Sequence, residues 1–148
     1  MPVITAQQAG GPNRIAFLSM ITNSEIGPEL VALTDRGYNV LVGATPENPL
    51  TFPSYADHPN ILDVALDSTA AGAYQLLHLF WADRVVGGKV IHGYKTMLNL
   101  PDFSPLSQDK VALQQIRECN ALADIDAGNF AHAVAQQRRR SRRKPHAW

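Results

Sequence analysis

Glu25 stands in the segment TNSEIGP, after a run in which Ile15, Phe17, Leu18 and Ile21 fall at helical spacing. Gly27 and Pro28 end such a helix. The carboxyl is therefore predicted at a helix C-terminus, where partial negative charge disfavours ionisation, as partial burial also does. A carboxylic acid kept protonated near neutral pH is suited to protonating a glycosidic leaving group. Spacing alone also describes an ordinary solvated helix-end glutamate, and that is the commoner case. A two-carboxylate glycosidase needs a second acid opposite the first. Asp35, Glu47, Asp57, Asp63 and Asp67 are within range along the chain, none of them marked out by pattern, so a mechanism with one carboxylate stays open.

Other chemistries find less support. The histidines at 58, 78, 92, 132 and 146 show no zinc-ligand spacing, and neither a metal nor a cofactor is implied. His58, between Asp57 and Pro59 in ADHPN, reads first as a structural turn histidine. There is no nucleophile elbow, phosphate loop or dinucleotide fingerprint. Cys119 is the single cysteine, so no internal disulfide can form. It falls on the apolar side of a predicted helix and reads as core.

The elements that must position these groups fit one domain. Residues 1–13 read as a loose lead-in containing Gly10, Gly11 and Pro12, with Asn13 as cap of the first helix. YNVLVG (38–43) is rich in strand formers. Prolines 46, 49, 53 and 59 make the next stretch a loop. STAAGAYQLL (68–77) is expected to open a helix through Leu76, Leu77, Phe80 and Trp81. VVGGKVIHGYK (85–95) is left ambiguous by its glycines. Ser104 and Pro105 suit the cap and first position of a long helix, and a last helix is expected from Asn129. The fold class is α+β, mostly helical, with a small sheet near residues 38–75.

Charge divides the chain unevenly. Arg138–Lys144 holds six of the thirteen basic residues, which leaves residues 1–137 with seven basic against thirteen acidic groups, a net of −6. An acidic body repels phosphates, so no nucleic-acid partner is expected. Residues 138–148 read as a solvated, disordered basic tail. No stretch has the length of a membrane span, and the N-terminus lacks the pattern of a secretory signal.

Six segments, in order, carry a resemblance. FLSMITNSE (17–25), GYNVLVG (37–43), YADHP (55–59), STAAGAYQLL (68–77), DFSPLSQDKVALQQI (102–116) and ALADIDAGNFAHAV (121–134) resemble the lambda-type endolysins, a family of lytic transglycosylases. The likeness runs from about residue 14 to 137 and marks that span as a catalytic domain. It implies a lysozyme-like fold, with helices around a small antiparallel sheet and a glycan cleft. It implies that Glu25 is the catalytic acid and that the substrate is a peptidoglycan glycan strand. The bond between N-acetylmuramic acid and N-acetylglucosamine would be cleaved to give 1,6-anhydromuramic ends. Tyr38, Asp57, His58, Ser68, Thr69, Tyr74 and Gln75 would line or shape the cleft, with Gln75 offering its amide to an N-acetyl group. The resemblance also implies a monomer made in the host cytoplasm and released through a holin-type pore.

The departures are specific. Ile26 stands where the family has glycine, Ala73 where it has arginine, and Asn39 where it has aspartate. The stretch from 84 to 100 is longer than in the family. Past Gln137 the family continues with a Trp-containing turn and a glycine-rich segment. Here RRRSRRKPHAW follows, the pattern expected of a shifted or truncated reading frame. The alternative function is accordingly a relic that keeps the fold and at most binds glycan.

Overall fold

The computed structural model describes residues 1–143. The lead-in is more ordered than the sequence predicts. Thr5 and Gln8 form a reciprocal capping box at the start of α1 (Ala6–Ala9), and Ile4 and Ala9 are buried. α2 (Pro12–Glu25) begins on Pro12, whose missing N–H costs nothing in the first turn. Asn13 does not cap it; its amide instead donates to the Asp126 carbonyl. The helix ends at Glu25, as Gly27 and Pro28 predict, and α3 (Pro28–Leu33) follows at once.

Residues 38–76 do not form the expected sheet. Single antiparallel bridges join Val40 to Thr51, Leu41 to Ala71, Asp63 to Ser68 and Ala71 to Leu76. Four prolines in this stretch withhold ladder donors, so pairing never propagates. The expected helix over 68–77 is also absent. Gly72 and Gln75 take positive φ, +80° and +46°. The Val42 N–H donates to Ala70 and the Gly72 N–H to Val40, tying this turn to residues 38–43. α4 (His78–Trp81) starts only where that tie is released.

The regular sheet among the described residues lies in the segment left ambiguous. β1 (Arg84–Val86) and β2 (Lys89–Ile91) pair antiparallel, Val85 opposite Val90. Gly87 and Gly88 supply the two positive φ angles that a two-residue hairpin turn of the primed type requires. α5 (Tyr94–Met97) leads to α6 (Pro105–Glu118), opened by Ser104 and Pro105 as expected. α7 (Leu122–Asp126) and α8 (Phe130–Arg143) close the described chain. The basic segment expected to be disordered thus continues α8 as helix through Arg143, while its residues 144–148 lie outside the described ones.

Two apolar clusters meet on α6. Phe17, Leu18 and Ile21 of α2 pack with Ala112, Ile116, Ile125 and Ala133. Phe52, Leu76, Trp81, Leu100 and Phe103 pack with Val111. Between them lie buried polar groups of α6. Asp109 is fully buried; its Oδ2 accepts from the Val3 and Ile4 N–H groups at 2.8 Å, and its Oδ1 from the Tyr38 and Tyr74 hydroxyls at 2.7 Å. Gln108 donates to the carbonyls of Tyr38 and Phe103 and accepts from the Ala73 N–H. A Cβ on Gly72 would collide with the Gln108 amide, so glycine is required there for space as well as conformation.

Candidate active site

A cleft of about 500 Å³ opens where α2 ends, between the bridged loops of residues 38–44 and 66–77. Glu25 stands in its wall. Its side chain is exposed to solvent at the rim, yet the surrounding protein displaces enough water to push its carboxyl pKa up. The C-terminal end of α2 acts in the same direction. Ile26, Leu30, Val40 and Leu41 contribute apolar lining, as do Tyr74, Leu76, Leu77 and Phe80.

The predicted site residues divide into two groups. Ser68, Tyr74 and Gln75 line the cleft with Glu25. Tyr74 contributes ring surface only, because its hydroxyl is committed to Asp109. Gln75 spends one of its two amide N–H donors on the Gly72 carbonyl at 3.0 Å. Tyr38, Asp57, His58 and Thr69 are not among the cleft-lining residues. Tyr38 is buried, with its hydroxyl on Asp109. Thr69 Oγ1 accepts the first N–H of α4, from His78. Asp57 accepts from Trp81 Nε1 at 2.6 Å and from Lys95 Nζ at 3.0 Å. Burial opposes its ionisation, but these bonds and the His58 N–H outweigh that and hold its carboxyl below the usual range.

His58 is saturated as a neutral imidazole. Nδ1 accepts from the Asn60 N–H at 3.1 Å, which leaves Nε2 carrying the proton it donates to the Leu76 carbonyl at 2.7 Å. Burial is the largest cause of its low pKa, about 4 against an ordinary 6.5. Protonation therefore favours the unfolded chain. The stabilisation is complete above pH 6.5 and is lost as pH falls toward 4, a change of about 3 kcal/mol. Urea melts of the parent at pH 7.5 and 4.5 are expected to differ by that amount more than those of His58→Gln. An equal pH dependence in both proteins would contradict the assignment.

Two further polar residues stand in the cleft, Asp67 from among the candidate second carboxylates and Gln115, which the sequence does not mark. Asp67 is one of five loop carboxylates that no pattern separated. Gln115 follows Gln114 in a helix, where a Gln pair reads as solvent-facing; only its 8% exposure marks it. Among the described residues, no group of three or more His, Cys, Asp or Glu side chains is placed to hold a metal ion.

A family model described as Endolysin matches residues 15–144. The chain belongs to the endolysin family. The matched span runs past Gln137 into the basic segment, beyond the limit drawn from the motifs. The endolysin of Escherichia phage P2 is 40% identical over 146 residues, covering 93% of this chain and 80% of that protein. The endolysin of Escherichia phage lambda is 42% identical over 125 residues, covering 82% and 70%. Among solved structures, the lysozyme from bacteriophage lambda superposes with a TM-score of 0.69 at 38% identity, over 92% of this chain and 77% of that one. The same lysozyme complexed with a chitohexasaccharide gives 0.68 at 37% identity, with the same coverage. The α+β, lysozyme-like fold of this endolysin-family chain is thereby established, and the open cleft at the end of α2 is a feature of that fold here.

Proposed function

We propose that this chain is a peptidoglycan-cleaving endolysin that works as a lytic transglycosylase, with Glu25 as acid and then base. The observation that carries the reading is a carboxyl with raised pKa standing in the wall of the cleft. Protonated Glu25 gives its proton to the glycosidic oxygen as the bond from muramic C1 breaks, releasing the N-acetylglucosamine hydroxyl. The muramic C6 oxygen bonds to C1, and its proton passes to the Glu25 carboxylate. The acid is regenerated, no water is added, and one carboxylate suffices. The family membership and the lambda lysozyme held with a chitohexasaccharide support a glycan in this cleft. In the same reading the chain acts as a monomer on the wall and reaches it through a pore-forming partner. No helix among the described residues is long and apolar enough to cross a membrane.

Asp67 favours a second reading. A second carboxylate in the same cleft is what a hydrolytic mechanism uses to activate water. Mass analysis of muropeptides released from purified peptidoglycan separates the two. Anhydromuramic ends are expected; reducing ends would assign hydrolysis and make Asp67 the candidate base. No release by a protein that melts cooperatively would leave the relic that only binds glycan.

A further inference from the structure

We infer that Gln115 is a docking group for the acetamido substituent of a sugar in the cleft, an inference that rests on reading the cleft as a glycan site. Two glutamines of α6 lie seven residues apart, two turns along one face. Both are buried, at 3% exposure for Gln108 and 8% for Gln115. Gln108 has every polar atom satisfied: two donors on carbonyls and its oxygen on the Ala73 N–H. Gln115 is the opposite case. Its side-chain amide has no hydrogen-bond partner among the described residues, although it borders the cleft that Glu25 enters. A buried amide left unpaired within the chain destabilises the fold, and at a cleft it is open to a partner from outside the chain.

The cleft selects the chemistry of that partner. The carboxyl groups of its lining among the described residues are those of Glu25 and Asp67, and the lining holds no lysine, arginine or histidine. With no cation in the lining, an anionic group finds no charge partner there. A neutral ligand group remains. A primary amide offers donors and an acceptor in one plane, and a secondary amide is their complement. The nearby apolar wall of Ile26, Leu30 and Val40 suits a methyl group. Amide and methyl together are an acetamido group. Gln75 has one of its amide N–H donors on Gly72, which leaves Gln115 as the glutamine with both donors and acceptor available.

The test is calorimetric titration of the parent and of Gln115→Met, a side chain of similar length without polar hydrogens. The probes are chitohexaose, which carries acetamido groups, and cellohexaose, a neutral hexamer with hydroxyls in their place. Gln115→Met is expected to weaken chitohexaose about tenfold and to change cellohexaose less than about twofold. Its melting temperature is expected to equal or exceed that of the parent, since an unpaired buried amide is removed. Equal weakening of both sugars, or no weakening of either, overturns the role. So does a lowered melting temperature with unchanged sugar binding, which would show the amide to be structural. Gln115→Leu gives the same comparison if methionine is not accommodated. A parent that binds neither hexamer would refute the glycan reading of the cleft itself, a result distinct from loss confined to the variant.

Discussion

Glu25→Gln is expected to lower the rate of peptidoglycan cleavage by about 10³-fold or more. The substitution keeps the shape of the side chain and removes its transferable proton. In the proposed reaction the same group acts twice, first giving a proton and then taking one, so no second residue covers for its loss. The side chain lies at the exposed rim of the cleft, and the change in folding stability should stay within about 0.5 kcal/mol. Loss of activity with unchanged melting therefore reads on chemistry. The pH profile of the parent adds a second check. Glu25 must start protonated, so kcat/KM falls as pH rises through its pKa. Because that pKa is raised by desolvation, the alkaline limb should lie above the range of an ordinary glutamate. A variant keeping more than about a tenth of parental activity would remove Glu25 from the role, since general acid catalysis contributes at least about 10²-fold.

Asp109→Ala is expected to destabilise the fold by about 3–5 kcal/mol, because several buried donors lose their acceptor at about 1–3 kcal/mol each. Four donors converge on this carboxylate: two backbone amides of the N-terminal segment and the hydroxyls of Tyr38 and Tyr74. Alanine takes this acceptor from the Ile4 N–H and both hydroxyls in a fully buried site, and leaves the Val3 N–H only the Tyr38 hydroxyl at 3.2 Å. Tyr38→Phe and Tyr74→Phe each remove one donor and should lose only about 1–2 kcal/mol. The ordering, measured by urea unfolding, is the diagnostic result. A loss below about 1 kcal/mol for Asp109→Ala would mean that the network contributes little. Tyr74 also lines the cleft, so loosening the network should reach the site: Asp109 holds the ring against which a sugar would pack.

Local chemistry was legible without coordinates. Gly27 and Pro28 set the end of α2 at Glu25, and Ser104 with Pro105 set the start of α6, because helix stops and caps act within a few residues. The six motifs identified the family, since their order and content depend on the sequence alone, and the resemblance pointed to Glu25 as the candidate acid. Strand pairing was not legible. YNVLVG has the residues of a strand, but a strand exists only where a partner can donate, and Pro49 and Pro53, on either side of its bridge partner Thr51, withhold donors. Nor were the roles of Tyr38, His58 and Gln115. Tyr38 meets Asp109 across 71 residues and Val3 meets it across 106, while His58 meets Leu76 across 18. Gln108 and Gln115 are the same residue type on one helix face, and one is satisfied while the other stands unpaired at a cleft. Burial and the identity of distant partners arise when the helices and loops pack, and these separate a scaffold side chain from one left to meet a ligand.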